Sequence, residues 1–304
     1  MNSKPLKISV SNDRLVSLLD ELTRGEGMGA SRLPGISFMR ATRSIPRCPV
    51  AYEPGIFIVA QGRKTAWLGA KKIIYDPHHY LVLTMPLPFE CETKGSPEEP
   101  MLAVKIGVTP AAVTELLMQM EAFQPVDSSQ SHIMEVTPLD EALTGATVRL
   151  LESLRSPDDA RILGPQIVRE IIYLVLRGKL GRNLRMLAAP DSHFGKISRV
   201  LARLHTDYAR DCDIATLARE AGMSVASFHA QFKAITSSPP LQYLKNLRLH
   251  KARLLMVNAS INAGEAAIKV GYQSASQFSR EFKRLFGKTP AVEVEELRKL
   301  LVRL

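Results

Sequence analysis

The 304-residue chain has few cysteines and no long apolar segment. Its three cysteines, Cys48, Cys91 and Cys212, lack CxxC spacing, which excludes a disulfide scaffold and argues against a zinc cluster. The longest notable apolar run, Ile171–Leu176, is far shorter than the ~18 residues of a membrane span. The N-terminus has no apolar core of a signal peptide. We therefore expect a cytoplasmic protein with no membrane partner.

Motifs for catalysis and metal binding are also missing. The sequence contains no Walker loop, no GxGxxG and no Ser-His-Asp order. His78 and His79 are adjacent, and neighbouring side chains on a strand point to opposite faces, so both cannot bind one ion. We expect no catalytic residues, no metal and no cofactor.

Positive charge is concentrated in the last third of the chain. Residues 195–304 carry 18 basic and 9 acidic side chains, whereas residues 1–194 carry 22 and 21. A basic domain beside a neutral one is typical of a nucleic-acid-binding module. The alternative is a merely solvated basic surface.

The N-terminal region is rich in short apolar or alternating runs separated by turn residues. Such spacing predicts a small barrel or sandwich. The runs are Ile36–Met39, Gly55–Ala60, Lys64–Leu68, Lys72–Tyr75, Tyr80–Met85 and Leu102–Val108.

Helical patterns follow from Pro110 onwards. Pro110 suits the first position of a helix. We expect Thr137-Pro138 to open a second helix. A third helix is expected to start at Ser156-Pro157-Asp158 and to end at Gly178. The second has an apolar stripe of Leu139, Leu143, Leu150 and Leu154. We expect a homodimer and assign this stripe to its interface; the alternative is that the stripe packs on its own barrel.

The C-terminal region contains an internal repeat with a period of about fifty residues. Residues 218–240 resemble residues 267–290, and the register needs one extra residue in the second copy. The matched positions are Ala218 with Ala267, Gly222 with Gly271, Phe228 with Phe278, Phe232-Lys233 with Phe282-Lys283, and Pro240 with Pro290.

Each copy has the pattern of a helix-turn-helix. In copy one Asp213 and Ser224 are expected to cap the two helices, with Gly222 in the turn. Asn262, Ser274 and Gly271 take these places in copy two. Between the copies, a helix over Leu241–Val257 would be about 25 Å long and could hold the two second helices about one DNA turn apart, ~34 Å.

The second helix of each copy is expected to face DNA with its polar side. Gln suits adenine, Arg suits guanine, and Ser and Lys suit phosphates, although any amphipathic helix has a polar outer face. The predicted DNA-binding residues are Ser224, Ala226, Ser227, His229, Ala230, Lys233, Ser274, Ala275, Ser276, Gln277, Ser279, Arg280 and Lys283.

The segment GYQSASQFSREFKRLFGKTP, Gly271–Pro290, closely resembles the signature of the AraC/XylS family of bacterial transcription regulators. The resemblance covers about Phe194–Pro290 and implies two helix-turn-helix motifs on adjacent major-groove segments of double-stranded promoter DNA. It assigns base contacts to Ala226, His229 and Ala230 in copy one and to residues 275–277, 279 and 280 in copy two. Two departures are Ala230, where relatives often have Arg, and AVEVEELRKL after Pro290 in place of a Tyr-Arg pair.

The N-terminal region resembles the cupin-type domain of one AraC subgroup, through residues 52–69, 75–93 and 169–181. This implies a small barrel for sensing and helices for dimerisation. Trp67, His78, His79 and Tyr80 are candidates for an effector pocket, with core packing as the alternative for Trp67. Cupin enzymes bind metal through HxH, Glu and a later His, a set that this sequence lacks.

Together these features predict an α+β chain with three parts. Residues 1–187 form a small cupin-like β-barrel with flanking helices, 188–193 a linker, and 194–304 an all-α DNA-binding domain with two helix-turn-helix motifs. We expect a sequence-specific, dimeric transcription regulator that contacts RNA polymerase and senses a small molecule. The alternative is a cupin-type enzyme fused to a DNA-binding module.

Overall fold

The computed structural model describes residues 6–23, 25–68, 71–120, 133–188, 192–259 and 261–302. Over these residues no helix has the length and hydropathy needed to cross a membrane. The chain divides into two compact units. The first comprises Met1–Arg47, Glu53–Thr84 and Cys91–Pro190, and the second Cys48–Tyr52, Met85–Glu90 and Asp191–Leu304.

Over the described residues of the N-terminal part, ten strands form two sheets, so the predicted small barrel is not closed. The strands are β1 (Gly27–Ala30), β2 (Ile36–Ala41), β3 (Ile45–Tyr52), β4 (Gly55–Gln61), β5 (Arg63–Leu68), β6 (Lys71–Tyr75), β7 (His79–Leu83), β8 (Leu87–Lys94), β9 (Met101–Gly107) and β10 (Met134–Pro138). One sheet has the order β1-β2-β9-β4-β7-β10 and the other β3-β8-β5-β6. All six predicted strands are present. Strand β4 lies between β9 and β7, and all its residues except Gln61 are buried.

The helices of the first unit are α1 (Leu6–Leu22), α2 (Pro110–Gln119), α3 (Glu141–Ser153), α4 (Pro157–Ile162), α5 (Gly164–Arg177) and α6 (Gly181–Arg185). Helix α2 begins at Pro110 as predicted, with Thr109 as its N-cap.

Two helix predictions in this unit were wrong in their bounds. Thr137 and Pro138 do not open a helix: they end β10, where Thr137 pairs with Tyr80 of β7, and Asp140 caps α3 instead. The helix expected from Ser156 to Gly178 is two helices, α4 and α5. The second begins at Gly164-Pro165, two residues that are poor helix formers.

The leucine stripe assigned to a dimer interface lies inside the chain. Leu143, Leu150 and Leu154 are each at most 2% exposed, because α3 packs against both α1 and α5. Leu139 precedes α3 and is partly exposed. The stripe is therefore packed within its own unit, against helices rather than on the barrel that the alternative named, and these three side chains offer no surface to a second subunit.

After residue 191 the regular secondary structure of the second unit, over the described residues, consists of helices joined by turns. Its helices are α7 (His193–Thr206), α8 (Ile214–Glu220), α9 (Val225–Thr236), α10 (Pro240–Asn258), α11 (Ala263–Lys269), α12 (Ala275–Phe286) and α13 (Pro290–Val302). Helix α10 is 19 residues long, about 28 Å at 1.5 Å per residue. Of the predicted linker, 189–191 lie outside the described residues, Ala188 ends a 3-10 turn and Ser192 caps α7.

Candidate nucleic-acid interface

The two helix-turn-helix motifs, α8–α9 and α11–α12, begin their helices with the same capping chemistry. The Asp213 carboxylate accepts a hydrogen bond from the Thr216 amide at 2.8 Å, and the Asn262 amide oxygen accepts one from the Glu265 amide at 2.9 Å. Ser224 and Ser274 cap α9 and α12 in the same way, each at 3.2 Å. All four predicted caps are therefore present, and they fix where each helix starts.

Both turns have a glycine with a left-handed backbone. The φ angle is +62° at Gly222 and +86° at Gly271. An L-residue adopts this region only at a cost, which explains the two matched glycines of the repeat.

A phenylalanine pair anchors each second helix. Phe228 and Phe232 of α9, and Phe278 and Phe282 of α12, are completely buried, and the two rings of each pair are 5.5 Å apart. Phe286 is partly buried and lies 4.4 Å from Phe282. Because these rings face the core, the opposite faces of α9 and α12 are turned to solvent.

The predicted DNA-binding side chains lie on those solvent faces. Twelve of the thirteen are exposed, and Ser227 is half-buried. Six follow α9 from its cap, namely Ser224, Ala226, Ser227, His229, Ala230 and Lys233. Seven follow α12 from its cap, namely Ser274, Ala275, Ser276, Gln277, Ser279, Arg280 and Lys283. Each helix thus has a continuous outer surface that can approach a groove.

A hydrogen-bonded network behind α12 was not foreseen from the sequence. The Glu281 carboxylate accepts hydrogen bonds from Lys245 and the Tyr272 hydroxyl, both at 2.8 Å, and from the Gln277 side chain at 3.2 Å. Burial opposes ionisation of Glu281, but these three donors outweigh it and hold its pKa below the usual value. The one local sequence signal for this network was the four-residue spacing of Gln277 and Glu281, which places both side chains on one face of a helix.

This network orients the Gln277 amide. A carboxylate only accepts hydrogen bonds, so the NH2 group of Gln277 must face Glu281. Its second N–H and its carbonyl oxygen have no partner among the described residues, and they are the donor and acceptor pair that suits adenine.

Several basic residues of the second unit serve the fold. Arg248 of α10 donates to three backbone oxygens, those of Tyr208 at 2.7 Å, Arg210 at 2.9 Å and Gly271 at 3.1 Å. Arg298 donates to the Met256 oxygen at 2.6 Å. The excess positive charge is therefore only partly available to a nucleic acid.

Three of the four residues assigned to an effector pocket lie on strands of two different sheets, and His78 lies in the turn before β7. Trp67, on β5, is partly exposed beneath the Arg47 guanidinium, 4.5 Å from its ring, so it is not a core residue. Tyr80, on β7, is buried, which together with the nearby Asp140 raises its pKa to about 12. His79 Nδ1 lies 2.8 Å from the Asp76 carboxylate, and His78 is exposed.

Metal ligands are not assembled in the described part of the chain. Over those residues no group of three or more His, Cys, Asp or Glu side chains could hold an ion.

Paired helix-turn-helix motifs with buried phenylalanines and polar outer faces define a protein of the DNA-binding regulator class. Comparison with family models makes this specific. Residues 32–183, half of the chain, match the AraC-type transcriptional regulator N-terminus, and residues 217–295 match a helix-turn-helix domain. The chain belongs to the AraC family of transcriptional regulators.

Curated relatives match the chain over part of their length. The transcriptional activator RhaS of Salmonella arizonae is 31% identical over 122 residues, 40% of this chain and 44% of the relative. RhaS of Salmonella schwarzengrund is 29% identical over 148 residues, 49% and 50% respectively. The chain thus spans half or less of the length of these relatives.

Solved structures share the fold over most of the chain. An apo form of ToxT from Vibrio cholerae has a TM-score of 0.58 at 13% identity, covering 91% of this chain and all of that one. ToxT bound to an unsaturated fatty acid also gives 0.58, at 12% identity over 88% of this chain and 96% of that one. At this identity the likeness establishes the fold.

Proposed function

We propose that the chain binds a specific double-stranded promoter sequence through α9 and α12 and so regulates transcription in the cytoplasm. One observation carries the proposal: two helices, each capped by serine and anchored by a phenylalanine pair, turn their unpacked faces to solvent in the basic part of the chain. Helices presented in this way enter the major groove.

The two helices divide the recognition unequally. Helix α12 presents Gln277 and Arg280, which can form bidentate contacts with adenine and guanine. Helix α9 presents Ala226 and Ala230, whose methyl groups can touch thymine but donate no hydrogen bond, with His229 between them. Direct base recognition therefore falls mainly to α12, and Ser224 and Lys233 of α9 anchor phosphates.

The test uses the full chain and a randomised duplex library, from which bound sequences are selected and then titrated at several salt concentrations. We expect one enriched sequence and an affinity that falls steeply with salt, because each neutralised phosphate contributes about −0.9 to the log–log slope. A matched scrambled duplex is the control. No enrichment, or binding that salt leaves unchanged, would refute DNA recognition.

For the N-terminal region we propose dimerisation, sensing of a small molecule and transmission to RNA polymerase, with no catalytic role. Its match to the AraC-type N-terminus supports this assignment. Leu143, Leu150 and Leu154 are buried, so the dimer that we propose uses other residues. Sedimentation of the full chain tests dimerisation, and a monomer at tens of micromolar would contradict it.

A cupin-type enzyme fused to a DNA-binding module is the second candidate function. It is favoured less, because the sequence lacks the HxH, Glu and later His set through which cupin enzymes bind metal. Metal analysis of the purified protein separates the two: stoichiometric iron or zinc would favour the enzyme.

A further inference from the structure

The first unit contains a cavity of about 450 Å³ that the predicted effector residues do not touch. It lies where the end of α1, strands β1 and β2 and the end of α3 meet. Its volume is within the range of small-molecule sites. Residues with distinct chemistry line it, among them Thr23, Glu26, Arg32, Phe38 and Leu154.

Thr23 brings an unsatisfied hydroxyl to this cavity. The residue is only 7% exposed, and its Oγ1 has no hydrogen-bond partner among the described residues. A buried hydroxyl without a partner destabilises a fold. A ligand in the cavity would supply the missing partner.

Arg32 brings a positive charge that no described carboxylate neutralises. Its Nη1 donates to two backbone oxygens, that of Leu154 at 2.8 Å and that of Arg155 at 3.0 Å. These acceptors are neutral, and they fix the guanidinium in place. Arg32 is exposed, and its Nε and Nη2 have no hydrogen-bond partner among the described residues. They can therefore bind an anionic oxygen, for which a guanidinium is well suited.

Glu26 brings the opposite charge. Its carboxylate accepts hydrogen bonds from the Thr42 amide at 3.0 and 3.1 Å and from the Thr42 hydroxyl at 3.1 Å. Within the described residues no cation pairs with it, in contrast to Glu21, which binds Arg155 at 2.8 Å. A carboxylate held in this way can receive an ammonium group.

The cavity also has an apolar part, since Phe38 and Leu154 line it and are 4% and 1% exposed. From these groups we propose that the cavity binds a free amino acid with an apolar side chain. Arg32 holds the carboxylate of the amino acid, Glu26 holds its ammonium group, and the Thr23 hydroxyl donates a hydrogen bond to the carboxylate. The site requires neither DNA nor the assignment of α9 and α12.

The test is calorimetric titration of the full chain with each of the twenty standard amino acids. We expect binding by one or more apolar members, such as L-leucine or L-phenylalanine. Two analogues of L-leucine dissect the contacts: 4-methylpentanoate lacks the amino group and 3-methylbutan-1-amine lacks the carboxylate. Each should bind at least tenfold more weakly than L-leucine if L-leucine binds, because each lacks one of the two charged groups that Arg32 and Glu26 would bind.

Three variants assign the contacts. Arg32→Met and Glu26→Gln should each weaken the binding of the selected amino acid at least tenfold, whereas Arg161→Met, an exposed arginine outside the cavity, should leave it unchanged. Thr23→Val should raise the melting temperature of the free protein, because it removes an unsatisfied hydroxyl, and yet weaken ligand binding about tenfold. Circular dichroism of the free variants confirms that each is folded.

The proposal is overturned if none of the twenty amino acids binds at 10 mM, or if binding is unaffected in both Arg32→Met and Glu26→Gln. DNA affinity of the same preparation is measured alongside. If the protein binds DNA but no amino acid, the proposed amino-acid site is refuted and DNA recognition stands. If it binds an amino acid but no DNA, DNA recognition is refuted and the amino-acid site stands.

Discussion

The two turn glycines occupy matched positions of the repeat, and the structure predicts very different costs for replacing them with alanine. At Gly222 an added Cβ would meet no atom within 4 Å. Gly222→Ala should therefore lower the free energy of unfolding by about 1–2 kcal/mol, the cost of placing alanine in a left-handed backbone conformation. At Gly271 the added Cβ would lie 2.2 Å from the Ala209 carbonyl oxygen, in addition to the same backbone cost.

The Ala209 backbone has little room to move away. Arg248 binds the carbonyl oxygens of Tyr208 and Arg210, on either side of Ala209, and also that of Gly271 itself. Relieving the clash would break some of these three bonds. We therefore add about 1–3 kcal/mol of overpacking to the backbone cost for Gly271→Ala, which gives about 2–5 kcal/mol in all.

Hydrogen–deuterium exchange measures this difference locally. The sole tryptophan, Trp67, lies in the first unit, so its fluorescence would not report on either motif. Amides of α11 and α12 should lose protection in Gly271→Ala far more than those of α8 and α9 lose it in Gly222→Ala. Equal losses in the two variants would show that the Ala209 contact does not set the cost of Gly271→Ala.

Three further predictions concern recognition and pH. Arg280→Ala should cost about 1–3 kcal/mol on the selected DNA site and relax the preference at one base pair; a library selection in which His229→Ala lost more specificity would reverse the assignment to α12. Lys233→Ala should weaken binding to all sequences alike and reduce the salt slope by about one, as titrations of the selected and scrambled duplexes would show. His250 is 3% exposed, and burial, with the charge of Arg253, holds its pKa well below the usual value. The folded chain keeps His250 neutral while the unfolded chain protonates it below about pH 6.5, so stability present above that pH is lost on acidification, by up to about 1.4 kcal/mol per pH unit. Urea unfolding at pH 7 and pH 5 should show a smaller loss in His250→Gln, and an equal loss would contradict this cause.

The repeat could be predicted closely because its signals are local. Asp, Ser and Asn are preferred N-cap residues directly before a helical segment. The caps at Asp213, Ser224, Asn262 and Ser274 could therefore be predicted from the sequence alone. The apolar spacing of the linking helix was equally local: α10 exceeds the predicted Leu241–Val257 by one residue at each end.

Elements that depend on distant partners were missed or misplaced. Thr137-Pro138 has the local pattern of a helix start, yet the pairing of β10 with β7 makes it a strand. Strands β3 and β8 contain prolines or charges that hid their alternating pattern, and α1 was not predicted.

In the candidate sites, too, the features set by local sequence could be predicted and those set by contacts between distant residues could not. The outer faces of α9 and α12 follow from helical period and the phenylalanine pairs. Contacts across the fold do not: the approach of Lys245 to Glu281 spans 36 residues, and that of Arg32 to the Leu154 oxygen spans 122. Sequence spacing carries no information at such separations.

The unlike outer faces of α9 and α12 have a consequence for the geometry of a promoter. A symmetric dimer on a palindrome looks the same when its site is inverted. Within one protomer, however, α9 is alanine-rich and α12 bears Gln277 and Arg280, so the half-site that we propose for each protomer has a direction of its own. Inverting one of two half-sites would reverse the protomer bound there relative to its partner, and a symmetric dimer could then no longer match both half-sites.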